Sequence, residues 1–396
     1  MTPRPPRLLI ASAVPATLHA FLLPYAAHYR ARGWRVDAAA NGAADDPGLV
    51  DAFDAVHHVP WTRRPADPVN LTVATSRLRG LVARERYDLV HAHDPVAAFV
   101  ARFALRRLRH RTGTRMIYTA HGFHFFEGNA PLKNLLYRSL EALAARWTDH
   151  LIVINQEDLA AARRLPVAGD VTYMPGIGID RARYRPDAVD DADVRRVRAE
   201  LGLTDDQRLL LMVAELNPGK RHRDAVAAVA RAGPEVVLAC AGVGPLEHDI
   251  RRQAAELGIE DRVLLLGFRR DVATLLRASF AEILPSEREG LPRCLMEASC
   301  LERAVIATRI RGVSELVEDG VTGILADVGD VGALASAIRK LASDPDAAAE
   351  MGRRGRAAMG RFDLATVIAL HDELYERALT ATSSAPTASR SGTTPP

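Results

Sequence analysis

Two glutamates, Glu289 and Glu297, lie eight residues apart in a segment that could bind a phosphorylated ligand. In the segment 285–298, Gly290 would let the backbone approach a ligand closely, and Pro292 suits the first turn of a helix. The free amides and the positive dipole end of that helix would face a diphosphate. We expect Glu289 to accept hydrogen bonds from sugar hydroxyls and Glu297 from a ribose diol. The alternative is two solvated glutamates at a helix start, which the strand, glycine and proline context disfavours.

A lysine in the segment 213–222 could stabilise the charge of a leaving diphosphate. Lys220 is one of only three lysines in the chain, with Lys133 and Lys340, so almost all of the positive charge is arginine. The segment follows a predicted strand, where ligands of open α/β sheets bind, and an ammonium group there would stabilise charge as the sugar bond breaks. The alternative is a polar turn that contains a lysine by chance.

Histidines follow two predicted strands of the first half. In the segment 118–126, His121 precedes a glycine and an aromatic cluster, and it could bind a sugar hydroxyl. His91, His93 and Asp94 end the preceding strand in the same way. Core histidines that bind the backbone are the alternative. Metal binding by the second group is disfavoured, because alternate residues of a strand point to opposite faces.

Two strand ends in the second half could flank a nucleotide. Gly242 and Gly244 begin a dinucleotide fingerprint, but Glu247 stands where the third glycine should be, so we interpret them as a close turn beside the nucleotide. Gly267 ends the next predicted strand, and backbone groups there or the side chain of Arg269 could meet the base.

Short apolar runs alternate with helical patterns along the chain, which predicts mostly parallel sheets with crossover helices. A chain of 396 residues exceeds one core, so we predict domains over 1–175 and 176–361 and a disordered Ser/Thr/Pro-rich tail over 381–396. Pro24 should kink or start the second predicted element, a helix. The predicted strands are 7–11, 35–39, 89–92, 116–120, 151–154, 171–174, 209–214, 236–241, 263–267, 281–284, 304–308 and 322–325, and helices in the second half include 223–232, 246–257, 294–301 and 331–342.

The charge and composition of the chain argue against several classes of function. A net charge of +3 argues against nucleic acid as the main partner. No run reaches the roughly eighteen apolar residues of a spanning helix, and no signal peptide is evident, so we expect a cytoplasmic protein. Cys240, Cys294 and Cys300 are expected to be buried small residues.

A row of arginines, Arg102, Arg106 and Arg109, is predicted to lie opposite the apolar stripe of its helix. Such a row is usually solvated. The alternative is peripheral contact with anionic lipid, which would matter for a lipid-linked acceptor.

The chain resembles the retaining GT-B enzymes of glycosyltransferase family 4, in particular their bacterial exopolysaccharide and capsule branch. The resemblance covers roughly residues 8 to 375 and is carried by EGLPRCLMEA, AELNPGK, AHGFHF and PGIGID. It implies two Rossmann-like domains facing across a cleft, with a final helix over 362–380 that crosses back onto the first domain. The site residues that it implies are Glu297 at the ribose, Glu289 at the donor sugar, the amides of Gly290, Leu291 and Arg293 at the diphosphate, His121 at the reacting face of the sugar and Lys220 at the phosphates.

Two departures from the family pattern concern the phosphates and the acceptor. Glu215 stands where much of the family has an arginine, five residues before the lysine. The turn 12–15 lacks the usual pair of glycines.

The sequence thus predicts a retaining transfer from a nucleotide sugar, with UDP as the expected nucleotide and no metal or other cofactor. The catalytic residues would be His121, Glu289 and Lys220. A glycan, polyprenyl-linked or small-molecule acceptor would lie near His91, His93 and His124, at the inner face of the membrane if it is lipid-linked. The alternatives are a nucleotide-sugar epimerase of the same architecture and a non-catalytic glycan-binding subunit; an NAD-dependent dehydrogenase is least favoured because the glycine fingerprint is broken.

Overall fold

The computed structural model describes residues 4–126 and 128–380, which form two compact units. Of these residues, unit 1 contains those up to Val153, Asp158–Met174 and those from Ile368 to Thr380, and unit 2 contains Ile154–Glu157 and Pro175–Val367. The sequence predicts one boundary at 175/176, and it does not anticipate that Ile154–Glu157 belongs to unit 2. The predicted tail over 381–396 lies outside the described residues.

Unit 1 is built on a parallel sheet in the order β3-β2-β1-β4-β5-β6-β7. Its strands are β1 (Arg7–Ala11), β2 (Arg35–Ala40), β3 (Ala55–His58), β4 (Leu89–Ala92), β5 (Arg115–Ala120), β6 (His150–Val153) and β7 (Asp170–Tyr173). The central strands are buried apolar runs, as expected for a parallel sheet covered on both faces. The strand order reverses between β1 and β4, and ligands of such sheets bind beyond the carboxyl ends at this point.

The sequence misses β3 and shifts several strand ends by one or two residues. All four residues of β3 are only partly buried, since this strand lies at the sheet edge, and two of them are histidines. The run therefore lacks the continuous apolar pattern that identifies the other strands.

The helices that connect the strands of unit 1 are α1 (Pro15–Thr17), α2 (Leu23–Ala31), α3 (Pro47–Ala52), α4 (Thr75–Glu85), α5 (Pro95–Leu105), α6 (Leu108–Thr112), α7 (Pro131–Ala145) and α8 (Gln156–Ala162). A 3₁₀ turn spans Ala43–Asp45, and π-helical turns span Leu18–Leu22 and Asn70–Ala74. The first π-helical turn precedes α2, whose second residue is Pro24. Because proline has no N–H to donate, the preceding turn widens and α2 begins there, which agrees with the predicted helix start.

Unit 2 repeats the design, with a parallel sheet in the order β10-β9-β8-β11-β12-β13. Its strands are β8 (Arg208–Val213), β9 (Val236–Ala241), β10 (Val263–Gly267), β11 (Ala281–Leu284), β12 (Ala304–Thr308) and β13 (Ile324–Ala326). The order reverses between β8 and β11. Cys240 and Cys300 are buried as predicted, but Cys294 is partly exposed, which corrects the expectation for that residue.

The helices that follow β7 are α9 (Asp191–Glu200), α10 (His222–Ala232), α11 (Glu247–Glu256), α12 (Val272–Ala278), α13 (Arg293–Cys300), α14 (Val313–Leu316), α15 (Val331–Ser343), α16 (Pro345–Ala358) and α17 (Leu364–Thr380), with 3₁₀ turns over Pro186–Ala188, Pro218–Lys220, Glu260–Arg262 and Met359–Phe362. Helix α17 begins in unit 2 and continues into unit 1 from Ile368. Within unit 1, Asp372 of α17 pairs with Arg32 and His28 of α2. The final helix thus returns to the first domain, as the resemblance implies.

Candidate active site

In unit 2, the two strongest sequence motifs meet beyond the adjacent strands β8 and β11. The side-chain oxygen of Asn217 accepts a hydrogen bond from the Lys220 amide at 3.2 Å and shapes the turn after β8. The amide of Glu287 donates to the carbonyl of Gly219 at 3.0 Å and joins this turn to the loop after β11. Lys220 Nζ then lies 2.6 Å from Glu289 Oε1. A cation and a carboxylate that are 69 residues apart in the chain thus occupy one site.

The Lys220–Glu289 pair is largely enclosed, with side chains 27% and 10% exposed. Burial by itself lowers the pKa of Lys220, but the charge and hydrogen bond of Glu289 outweigh burial and raise it. The lysine therefore stays cationic at neutral pH and is available to an anionic leaving group. Glu215, the departure from the family pattern, accepts a hydrogen bond from Asn217 Nδ2 at 3.1 Å and so supports the turn before this lysine.

Glu297 lies on α13, directly after the loop that carries Glu289. It is buried and forms an ion pair with Arg293 Nε at 2.8 Å. Burial raises the pKa of Glu297, and the charge of Arg293 opposes that rise. Pro292 takes the N-cap position with extended backbone angles, so the helix begins at Arg293 and the proline precedes its first turn. The buried carboxylate thus sits within the first two turns of the helix.

Two glycines support the loop before α13: Gly176 of the predicted crossover segment PGIGID, and Gly312, which the sequence did not mark. A Cβ atom on Gly312 would lie 1.8 Å from the carbonyl oxygen of Gly290, and Gly312 has a φ of 75°. A Cβ atom on Gly176, in the segment PGIGID, would lie 2.6 Å from Leu291 Cδ2. At Gly312 a side chain would collide with the loop backbone, whereas at Gly176 it would meet the side chain of Leu291, and the positive φ of both residues favours glycine. Their positive φ values depend on packing between distant segments, so a local pattern does not reveal them.

In unit 1, the buried His93 and the partly buried His121 form a pair at the carboxyl ends of β4 and β5. His93 Nδ1 lies 3.0 Å from His121 Nε2, so one ring donates to the other. Burial lowers the pKa of both imidazoles, and Asp94 partly opposes this at His121. Both rings are therefore neutral at neutral pH. Asp94 also accepts hydrogen bonds from Ser12 Oγ and the Ala13 amide, which holds the turn that lacks the family's glycines.

His91 takes the structural role that the core-histidine alternative describes, but it bonds side chains and not the backbone. Its Nδ1 lies 2.5 Å from Tyr375 Oη of α17, and its Nε2 lies 2.7 Å from Thr119 Oγ1. Both ring nitrogens are occupied, so the proposed acceptor contact of His91 is replaced by a contact that anchors α17. The expectation that His91 and His93 point to opposite faces is wrong, since their ring centroids are 4.2 Å apart. Residues two apart in a strand point to the same face, so strand alternation itself places the two rings side by side.

The chain matches glycosyltransferase sequences along most of its length. Residues 18–176 match the model of the glycosyl transferase 4-like domain, and residues 193–358 match that of the glycosyl transferases group 1. The putative glycosyltransferase EpsD of Bacillus subtilis (strain 168) is 36% identical over 93% of this chain and 96% of its own length. The chain belongs to glycosyltransferase family 4.

Two further proteins resemble this glycosyltransferase, one in sequence and one in fold. The UDP-Gal:alpha-D-GlcNAc-diphosphoundecaprenol alpha-1,3-galactosyltransferase of Escherichia coli is 29% identical over 67% of this chain and 68% of its own length. The crystal structure of HepE from Anabaena in complex with UDP-glucose superposes with a TM-score of 0.78, at 22% identity, over 94% of this chain and 99% of that one. The latter likeness shows the shared GT-B fold of two Rossmann-like domains. No helix among residues 4–126 and 128–380 has the length and apolar character to cross a membrane.

The predicted nucleotide-flanking residues of the glycosyltransferase have contacts of their own. A Cβ atom on Gly242 would lie 1.9 Å from the carbonyl oxygen of Ala214, and one on Gly244 would lie 2.5 Å from that of Leu216. These glycines let the turn after β9 pack against the turn after β8, which leads to Lys220. Gly267 ends β10 with a φ of 65° and has no atom within 4 Å of an added Cβ.

Arg269 is held by two carboxylates. Its guanidinium lies 2.6 Å from Asp271 and also pairs with Glu200. These hydrogen bonds raise the pKa of Arg269. A contact between this arginine and the base stays a prediction, and it would require the guanidinium to give up part of this pairing.

The prediction that three arginines form a row on one helix, opposite its apolar stripe, is wrong. Arg102 is 1% exposed, pairs with Glu141 at 2.8 Å and lies over the ring of Tyr118. Arg109 is also buried and bonds Asp149. The row spans two helices, α5 and α6, rather than one, so helical periodicity extended through it misplaces the side chains. Arg102, Arg106 and Arg109 therefore do not form a continuous exposed surface for lipid.

Glu282 is a buried carboxyl that the sequence analysis does not identify. It lies on β11 and is fully buried, and its Oε1 accepts a hydrogen bond from the Val213 amide at 2.9 Å. The last paired residues of β8 and β11 are Leu211 and Glu282. Beyond them the two strands separate, and the Glu282 side chain accepts the hydrogen bond of the Val213 amide. Burial raises the pKa of Glu282 well above its ordinary range. Burial therefore favours the protonated, uncharged form of this carboxyl.

We expect Glu282→Gln to stabilise the glycosyltransferase against unfolding at pH 8 and to have a smaller effect at pH 5, because glutamine cannot ionise in the unfolded chain. The unfolded chain ionises this carboxyl near its ordinary pKa, whereas the folded chain keeps it protonated. Wild-type stability therefore falls as pH rises from that value towards the raised pKa, and glutamine keeps the bond to Val213 without ionising. Urea unfolding at pH 5 and pH 8 measures the effect, and an equal difference at both pH values would contradict it.

Proposed function

We propose that this glycosyltransferase transfers a sugar from a UDP-sugar, with retention of anomeric configuration and without a metal ion, to a glycan or lipid-linked acceptor in cell-surface polysaccharide synthesis. The observation that carries the proposal is the 2.6 Å contact between Lys220 Nζ and Glu289 Oε1. It joins a phosphate-binding cation to a sugar-binding carboxylate beyond β8 and β11, beside the start of α13.

In the proposed reaction, the donor diphosphate binds at the amides of Gly290, Leu291 and Arg293, and Lys220 faces its oxygens. Glu289 would exchange part of its contact with the lysine for hydroxyls of the sugar. The bond from the anomeric carbon to the phosphate oxygen breaks, and negative charge grows on the diphosphate next to the ammonium group. The acceptor hydroxyl attacks from the same face and gives its proton to the departing phosphate oxygen.

The remaining site residues would orient the two substrates. Glu297, held by Arg293, would bind the ribose diol. His121 is neutral and held by His93, so its other ring nitrogen can bond a sugar hydroxyl as a donor or an acceptor. We propose that His93 acts through His121, and that His124 lies on the acceptor side.

Two relatives support the choice of substrates. The relative from Escherichia coli is named for a UDP-Gal donor and a diphosphoundecaprenol acceptor, and HepE binds UDP-glucose in its crystal structure. By analogy we propose a UDP-sugar donor and an acceptor of the lipid-linked class, used in the cytoplasm at the inner face of the membrane.

Slow hydrolysis of donor in the absence of acceptor tests the reaction. UDP-glucose, UDP-galactose and UDP-N-acetylglucosamine are incubated singly with the protein, with and without EDTA, and followed by proton NMR. We expect one of these donors to release its sugar first as the α anomer, at the same rate with EDTA, because retention preserves the α linkage of the donor. Initial release of the β anomer would refute retention, and loss of the reaction in EDTA would refute metal independence. Conversion of one UDP-sugar into its epimer would instead indicate an epimerase.

A further inference from the structure

Unit 1 contains an apolar cavity of about 210 Å³ beside the loop that carries His121. Phe123 and His124 of this loop form one side. Phe99 of α5 and Tyr137 of α7 form others, and Leu71 of the π-helical turn Asn70–Ala74 lies at the edge. The cavity is therefore next to the residues that we assign to the acceptor.

Two polar side chains that line the cavity, those of Glu141 and Asn70, already have partners in the protein. Glu141 is paired with Arg102. The side chain of Asn70 accepts a hydrogen bond from the Thr62 amide at 2.8 Å and donates one to the carbonyl of Arg64 at 2.9 Å. Because these groups need no further partner, they favour an apolar occupant over a sugar.

Helix α7 extends this apolar character to the protein surface. Leu132, Leu135 and Leu136 are 78%, 64% and 57% exposed. Lys133 and Arg138 are exposed on the same helix, whereas its single acidic residue is turned inward to Arg102. An exposed patch of leucines with only cations among them fits a ligand that is both apolar and anionic.

We propose that this cavity binds the first isoprene units of a polyprenyl diphosphate-linked acceptor, while Lys133 and Arg138 attract its diphosphate. The inference rests on the proposed function and specifies its acceptor class. A second copy of the chain fits the surface less well. A two-fold contact through α7 would bring the cationic residues of both copies into one interface, where they add positive charge.

Binding of farnesyl diphosphate tests this proposal, with inorganic diphosphate as the probe for charge alone. Leu71→Trp should fill the edge of the cavity. Val73→Trp is the matched control, since Val73 lies on the same turn, is 54% exposed against 49% for Leu71, and does not line the cavity. Loss of contact with about two methylene groups should weaken farnesyl diphosphate binding about tenfold in Leu71→Trp. Isothermal titration calorimetry should show wild-type affinity in Val73→Trp.

Several results would overturn the inference. The first is equal affinity of the wild type for farnesyl diphosphate and inorganic diphosphate. The second is an equal effect of the two tryptophan variants on binding. The third is self-association of the wild type in ultracentrifugation that Leu135→Glu abolishes. Thermal unfolding of both variants checks that they remain folded.

Donor hydrolysis by the same wild-type preparation distinguishes failure of this inference from failure of the proposed function. If donor is hydrolysed and farnesyl diphosphate does not bind, only the acceptor inference fails; if farnesyl diphosphate binds and no donor reacts, the cavity assignment is supported and the transfer reaction is not.

Discussion

Replacing Lys220 with methionine should lower kcat for donor hydrolysis by about 10²- to 10³-fold, the usual cost of removing one group that stabilises developing negative charge. The ammonium group of Lys220 lies at the meeting point of the two loops and stays protonated at neutral pH. Methionine keeps much of the aliphatic length and removes the charge. Because the charge on the diphosphate grows in the transition state, kcat should fall more than KM rises.

The matched control is Lys340→Met, which changes an exposed lysine on α15. It should leave kcat within about twofold of the wild type, since surface substitutions usually have small effects. Lys220→Arg should recover part of the lost rate because it restores a cation with a different shape. A wild-type kcat in the Lys220→Met enzyme would show that Lys220 does not stabilise the leaving diphosphate.

Glu289→Gln should lower kcat by about ten- to hundredfold, because hydrogen bonds to a charged group contribute about 1.5–3 kcal/mol and each 1.4 kcal/mol changes the rate tenfold. Glutamine has the same shape and can still accept a bond from Lys220, so the loop should keep its position. What is lost is the charge that would bind the hydroxyls of the transferred sugar. Donor hydrolysis, followed at several donor concentrations, separates the change in kcat from that in KM.

Glu287→Gln is the matched control for this prediction, since Glu287 lies in the same loop with a side chain 55% exposed and 3.9 Å from Arg221. It should retain wild-type kcat. Because Lys220 and Glu289 contact each other, the Lys220→Met and Glu289→Gln effects should not add in the double variant. Equal rates for the Glu287→Gln and Glu289→Gln enzymes would contradict the assignment of Glu289 to the donor sugar.

The predicted sheet elements agree with the structure where a strand is a continuous buried run. The bounds of β1, β4, β9, β11 and β12 match the predicted ranges. Those of the edge strand β10 also match, although only its first residue is buried, because its residue types are apolar throughout. Burial on both faces imposes a long apolar signal that residue types reveal directly. The edge strand β3 carries no such signal, and the predicted strand 322–325 is displaced to Ile324–Ala326.

The assigned site was predictable to the extent that its residues lie in short motifs. The prediction placed Lys220 and Glu289 in loops after two different strands. The parallel sheet order then makes β8 and β11 neighbours and brings the two side chains into contact. By contrast, a helical wheel could not show that Arg102 is buried against Glu141, because that partner comes from α7.

The sequence by itself determined the fold class, the family and the motifs at the ends of the strands, because these depend on residue type and short spacing. Tertiary structure alone decided which distant groups share a pair: His93 with His121, His91 with Tyr375, and the Glu282 carboxyl with the Val213 amide. The physical reason is that protonation state and hydrogen-bond partners depend on the surroundings of each side chain. Those surroundings are supplied by segments that meet only when the sheets assemble.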